Sequence, residues 1–250
     1  IGSVQDGPLV DAQEAFTYGG GLTNVTIVND LAAAPIGSPV ALSVSALYQS
    51  DSRGVRLIGR RDFRNAWNDD SAASANLYHG TGLGITRENQ GAGGGFDKLN
   101  VHGFQCGIDC GLSASAWTAD PDKFKIDRLT LQSDTQVSYC DVAVRQRAGL
   151  YELDIMDMHF ENCSETFALA CSGAGEMNVI GGRSSSGTRT HLSTQQRAKY
   201  GHFTFGNAVA SENAWKQALF QSHTFSVINQ AGIFAFAGAG AGDIIIDDCI

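Results

Sequence analysis

The densest group of side chains able to move protons is Glu152, Asp154, Asp157, Glu161 and Glu165, with His159 among them. Hydrolysis of a glycosidic bond uses two carboxyl groups flanking that bond, one protonated as acid and one ionised as nucleophile or base. Asp154, Asp157, Glu161 and His159 are therefore the candidate catalytic set. An acid drawn from it needs its pKa raised by a carboxylate neighbour or by burial. The alternation around Asp157 predicts an outward strand position between inward Met156 and Met158, with His159 and Glu161 at the following bend. Turn-capping aspartates and an ordinary solvated face are the competing readings of the same residues.

Elimination chemistry would use a Lys or Arg base beside a cation that neutralises a uronate, and Arg145, Arg147 and Arg183 are the available side chains. Binding without chemistry needs less: exposed aromatic rings that stack on sugar rings, and polar groups that satisfy their hydroxyls. Trp67, Tyr78, Trp117 and Trp215, in or near the longer loops, are the candidate glycan contacts together with Arg145 and Arg147.

Other partner classes fit poorly. The net charge of −9 disfavours nucleic acid, since phosphate binding relies on clustered Lys and Arg, and the densest basic spot, Arg60, Arg61 and Arg64, has Asp62 inside it. Cys106, Cys110, Cys140, Cys163, Cys171 and Cys249 form no CxxC and no Cys/His pair at zinc spacing, so no metal site or cofactor is expected. They read as mostly buried small hydrophobes. No apolar run reaches the roughly 18 to 20 residues of a membrane span, so no membrane insertion is expected.

The elements that would position these groups come from a repeat. A short strand with apolar residues at alternate positions, usually followed by Asn, Gly, Asp or Ser, starts at Val25, Val55, Leu99, Leu129, Met156, Met177, Phe203, Phe225 and Ile244. The separations vary from about 19 to 44 residues, as in a solenoid whose loops differ in length. One coil cannot bury its inward row alone, whereas coils stacked about 4.8 Å apart form a continuous core and pair each strand's backbone. Charged residues are 17% of the chain, with 30 glycines and 4 prolines, which suits strands and tight turns rather than helices.

The longest internal match sets Phe96–Cys106 against Leu153–Cys163, with Ile126–Leu131 between. It predicts a ladder of Asp97, Asp127 and Asp154, an inward row of Leu99, Leu129 and Met156, and a shared ladder position for His102 and His159. Gly107–Cys110, Val142–Val144 and Phe167–Cys171 follow as second strands after a bend. Ser211–Gln221 is the one helix candidate, capped by Ser211 with Trp215 and Leu219 on one face. Residues 60–95 are expected to hold a protruding, loop-rich insertion with a short strand near Leu77 and Tyr78. The Gly/Ala-rich stretch 231–242 offers a strand around Phe234 and Phe236. Otherwise 1–250 reads as a single domain, expected to be part of a longer chain.

The strand motif with trailing Asn or Gly, the Phe160-Glu-Asn-Cys163 turn and the irregular loops resemble the pectate-lyase-like right-handed parallel β-helix superfamily. The closest likeness is to bacteriophage tailspikes and related virion spikes, over about residues 22–250. The resemblance implies an all-β, right-handed parallel β-helix, here of roughly nine coils. It also implies a homotrimer on the virion surface, held by other virion proteins, that recognises and in some cases cleaves bacterial surface polysaccharide. If active, it would be a depolymerase, an endo-glycosidase before a lyase. Asp247-Asp248 is similar to the paired aspartates of polygalacturonases, but no Asn-Thr-Asp, Gly-His-Gly or Arg-Ile-Lys accompanies it, so that activity is not expected. A secreted polysaccharide lyase or hydrolase, and an adhesive β-helix without a glycan site, are the alternative functions.

Overall fold

A computed structural model describes residues 10–11, 21–28, 40–44, 48–59, 80–85, 89–91, 93–111, 124–140, 142–147, 150–161, 163, 165–170, 176–185, 203–206, 217–226, 234–237 and 243–250. Among them every regular element is a strand, and every strand pairing is parallel. The strands, numbered in chain order, fall into three sheets. Sheet A stacks β1 (Val10–Asp11), β3 (Val40–Ser43), β6 (Thr81–Ile85), β10 (Cys106–Cys110), β13 (Val142–Gln146), β16 (Glu165–Ala170), β19 (Phe203–Gly206) and β22 (Phe234–Ala237). Sheet B holds β4 (Tyr48–Arg53), β8 (Gly93–Asp97), β11 (Phe124–Leu131), β14 (Leu150–Met156), β17 (Glu176–Ile180), β20 (Gln217–Gln221) and β23 (Asp243–Asp247), with β7 (Asn89–Gly91) paired to β11. Sheet C holds β2 (Thr26–Val28), β5 (Arg56–Ile58), β9 (Asn100–His102), β12 (Gln136–Ser138), β15 (His159–Glu161), β18 (Arg183–Ser185) and β21 (Thr224–Ser226).

From β4 onward the chain visits B, C and A in the same cyclic order, and each strand pairs with its counterpart one circuit later. That is a three-sided parallel β-solenoid. Its core is made of in-register rows, because a parallel stack sets equivalent residues above one another. Leu129, Leu153, Met177 and Ala218 form one buried row of sheet B, and Phe96, Leu131, Ile155, Val179 and Phe220 another. Leu57, Val101, Val137 and Phe160 do the same for sheet C. Cys106, Cys110, Cys140 and Cys163 are buried, as expected of small hydrophobes, Cys249 is half-buried, and burial pushes the Cys110 and Cys140 thiols well above the ordinary value. Cys171 lies outside the described residues.

The B-to-C corner explains the residue that trails so many strands. Asn24, Gly54, Lys98, Asp134, Asp157, Gly181, Ser222 and Asp248 all sit there with φ between 47° and 69°. This left-handed conformation turns the chain sharply between two extended segments, and it favours Gly and the short polar residues Asn and Asp. At Gly54 a Cβ would meet Asn24 Oδ1 at 2.5 Å, so a larger residue there would have to displace the Asn24 side chain as well as adopt a positive φ. Lys98 is a long side chain in the same conformation (φ 55°), and among the described residues its one ion pair is an exposed 3.5 Å contact to Asp134. Lys98→Gly is expected to raise stability by about 1 kcal/mol, read as a higher urea midpoint with an unchanged slope.

Several expectations need correction. The nine motif strands lie on all three sheets: those at Leu129, Met177 and Ile244 are in B, that at Phe203 is in A, and Met156–Phe160 crosses the corner at Asp157. The alternation is the same on every side of the coil, so the motif alone does not say which side it forms. The internal match is also slipped by two residues. Phe96 aligns through Leu131 with Ile155 rather than Leu153, so Asp97, Asp127 and Asp154 form no ladder, nor do Leu99, Leu129 and Met156 form a row. A two-residue slip still sets inward Phe96 on Leu153 and inward Val101 on Met158, so the pattern does not expose it. It does pair buried Leu99 with Met156, which is half-buried and stacks on exposed Ile180 rather than facing inward as expected. His102 stacks through Ser138 on Glu161, and His159 through Gln136 on Asn100, so the two histidines share no ladder position.

In the helix candidate, Gln217–Gln221 is strand β20 with Ala218 and Phe220 buried at alternate positions, and pairing on both edges overrides helical propensity. Residues 211–216 lie outside the described residues. The three predicted second strands lie together on sheet A, and Phe234–Ala237 is a strand as expected. Within 60–95, β6, β7 and most of β8 belong to the regular stack, while 60–79, including Leu77 and Tyr78, fall outside the described residues.

Candidate functional site

In Asn100–His102 and His159–Glu161 of sheet C the middle side chain is buried and the two flanking ones face outward; the same alternation in β12 leaves Ser138 buried as well. Stacking turns these into two outer rows. One runs Thr26, Arg56, Asn100, Gln136, His159, Arg183, Thr224, and the other includes Ile58, His102, Ser138 and Glu161. Neighbouring members sit about 4.8 Å apart.

The rows are hydrogen-bonded along the stack. Asn100 Nδ2–H donates to Gln136 Oε1 at 3.4 Å, and Gln136 Nε2–H donates to Glu161 Oε2 at 3.2 Å. His102 Nδ1 lies 2.7 Å from Ser138 Oγ, and its ring meets Tyr139 edge-on at 5.0 Å. Arg183 Nε–H donates to His159 Nε2 at 2.9 Å, which makes Nε2 the acceptor and leaves the ring proton on Nδ1. Burial, then the Arg183 charge, lowers the His159 pKa from the ordinary imidazole value, while Glu161 opposes them. Burial likewise lowers that of His102 against the pull of Glu161. Both rings are neutral at neutral pH. The result is a face of fixed donors and acceptors with two histidines, in which Glu161 is the one carboxylate among the described outward residues of these strands.

The catalytic candidates are spread over two faces and an edge. His159 and Glu161 are strand residues of sheet C, not bend residues. Asp157 is the exposed left-handed corner residue, and its carboxylate lies against the backbone of Gly181 one coil on. Asp154 is on sheet B, 3% exposed as a side chain, and accepts from Arg128 Nε–H and from Asn178 Nδ2–H at 2.8 Å. Arg128 also reaches Glu152 at 3.3 Å, and Glu152 stacks in register on Glu176.

Arg145 and Arg147 lie beside sheet A. Arg147 forms a two-pronged pair with buried Asp109, Nε to Oδ1 at 2.8 Å and Nη2 to Oδ2 at 2.6 Å, and Arg145 stands 3.7 Å from the same carboxylate. Trp67, Tyr78, Trp117 and Trp215 lie outside the described residues. The residues missing from the sequence-based set are Asn100, Gln136 and Ser138. Their signal was the stretch Thr135-Gln-Val-Ser138, which matches Leu99–His102 and Met158–Glu161 in register. It escapes a search for apolar alternation because Thr135 stands where the others carry Leu or Met. Thr135 is fully buried and its hydroxyl accepts from the Leu99 N–H. Compared with protein-family models, with curated proteins and with solved structures, the chain matches none of them.

Proposed function

We propose that this chain is the β-helical part of a virion spike that binds bacterial surface polysaccharide along the outer face of sheet C. The observation that carries the proposal is the pair of polar rows from Asn100 and His102 to Arg183, with donors and acceptors repeated at the coil spacing. A hydroxyl-rich polymer lying along the stack meets a partner at every coil, and a rigid scaffold loses little entropy on binding. In this reading the stack is right-handed, the hand that parallel crossover connections take in nearly all sheets. It has roughly nine coils, belongs to the pectate-lyase-like group, and assembles as a homotrimer with other virion proteins at the virion surface.

The test is calorimetric titration with capsular and lipopolysaccharide fragments. Gln136→Ala and Arg183→Ala are expected to weaken binding about tenfold each by removing one or two hydrogen bonds to sugar, with thermal stability little changed. Unaltered affinity in both would move the site off sheet C, and a monomer in sedimentation would count against the spike. Cleavage is a second reading, favoured by the in-register Glu152 and Glu176, whose strands are spaced near the separation of a retaining carboxylate pair. New reducing ends in the same incubations, absent from Glu176→Gln, would support it.

A further inference from the structure

The C-to-A corner sets two thiols over one another on adjacent coils. Cys140 and Cys163 each stand two residues past the end of a sheet C strand, β12 or β15, and two residues before the start of a sheet A strand, β13 or β16. Ser138 stacks on Glu161 and Val142 on Glu165, so the corner keeps its register on both sides and Cys140 lies one coil from Cys163. Phe104 holds the same position one coil earlier. Both cysteines are buried, at 0% and 2% exposure. The Cys163 thiol reaches back to the coil of Cys140, its Sγ lying 3.7 Å from the Val137 carbonyl oxygen, and the two thiols are hydrogen-bonded to each other.

We infer that Cys140 and Cys163 are a disulfide site: a small-molecule disulfide such as oxidised glutathione converts the pair to a bridge that ties β12 to β15 across adjacent coils.

The spacing suits the bond. Stacked residues of a parallel sheet sit about 4.8 Å apart, inside the roughly 4.4–6.8 Å that a disulfide spans between Cα atoms. Cys106 is near enough to act electrostatically on Cys140, but it stacks on Val142 and its thiol donates to the Ile108 carbonyl at 3.5 Å. It is thus displaced from Cys140 along the chain as well as along the stack, and Cys163 is the partner in line. The bridge removes two thiol donors without stranding their acceptors at the corner. The Ser138 carbonyl, 3.4 Å from Cys140 Sγ, also accepts from the Gly103 N–H, and the Glu161 carbonyl, 3.5 Å from Cys163 Sγ, also accepts from the Tyr139 N–H.

The exchange takes two steps. One cysteine thiolate attacks the small disulfide, forming a mixed disulfide and expelling a small thiolate. The other cysteine thiolate then attacks the protein sulfur of that mixed disulfide, which forms the Cys140–Cys163 bond and expels the second small thiolate. The cysteine pair loses two electrons and two protons, and the small disulfide takes up both and leaves as two thiols. Burial, then the hydrogen bond and charge of Cys163, holds the Cys140 thiol well above the ordinary value, so its thiolate is scarce in the closed molecule. The bridge therefore forms as the corner closes during folding.

The full chain, unfolded in urea with dithiothreitol and refolded in a glutathione redox buffer, tests this. After alkylation with iodoacetamide and digestion without reductant, mass spectrometry is expected to find the peptides of Cys140 and Cys163 joined, with Cys106 and Cys110 alkylated. The bridged chain is expected to melt about 5–10 °C above the same chain reduced, because the bridge closes a loop in the unfolded state. Cys140→Ala and Cys163→Ala are each expected to abolish that difference. The inference fails if both thiols are alkylated after refolding, if either retains glutathione, or if another pairing predominates. It fails equally if the bridged chain melts no higher than the reduced one, or if whichever variant folds keeps the wild-type difference.

Discussion

Arg147→Ala is expected to lower the free energy of unfolding by about 3 kcal/mol, the low end of the cost of stranding a buried charge. Asp109 is buried on the outer side of sheet A with its side chain 7% exposed, and both carboxylate oxygens are taken by the Arg147 guanidinium. Removal of that fork leaves the carboxylate with Arg145 at 3.7 Å, a longer contact that recovers part of the loss. Arg147→Lys is expected to fall between wild type and Ala, because an ammonium cannot grip both oxygens in the same plane. Adding Asp109→Asn to Arg147→Ala should restore part of the stability, since the stranded charge is then gone. Urea unfolding measures all three, as a shift in midpoint at constant slope. A cost below about 1 kcal/mol would mean that Asp109 is solvated when unpaired. Arg147, a candidate glycan contact by sequence, has its guanidinium held by Asp109 in this geometry.

Gly107→Val is expected to cost at least about 3 kcal/mol, or roughly 6–12 °C in Tm for a chain of this size. A Cβ at Gly107 would come within 2.6 Å of the Ala143 carbonyl oxygen and 2.7 Å of Val137 Cγ1, with Cys140 Sγ at 3.3 Å. The first of these is backbone in the adjacent strand β13, so relief requires the strands themselves to part. Gly82, stacked beside Gly107, meets Val101 Cγ1 at 2.6 Å and the Gly107 carbonyl oxygen at 2.7 Å in the same test. Two stacked glycines thus let sheet A approach the start of sheet C closely. Calorimetry of Gly107→Ala and Gly107→Val checks the prediction, with the valine the worse of the two; a valine variant as stable as wild type would show that β10 and β13 separate at little cost.

What was legible in the residues follows from local rules. Apolar alternation in Val55–Gly59 or Leu99–Gly103 marks a strand wherever it lies, and a small or polar residue beside it marks a turn. Those two signals were enough for parallel strands stacked as a solenoid, and for the burial of Cys106, Cys140 and Cys163. The corner residues were visible as well, although as residues beside strands rather than as one structural position. Asn24, Lys98, Asp157 and Ser222 share nothing in sequence except tolerance of a positive φ, and only the fold aligns them.

The functional face depended on more than local pattern. Gln136 and Ser138 join Asn100, His102, His159 and Glu161 only when the stack is set with Leu131 between Phe96 and Ile155. A slip of two residues still sets inward Phe96 on Leu153 and inward Val101 on Met158, yet it moves the outward residues, and the residues beside the corner, to new neighbours. Hydrophobic burial decides which way a residue faces, and the sequence by itself determined that much. Which coil lies beside which is decided by backbone pairing across loops of unequal length. So it was the tertiary structure alone that moved Asp154 onto the Arg128 and Asn178 network, put Asp157 at a corner, and left His159 and Glu161 among the polar rows of sheet C.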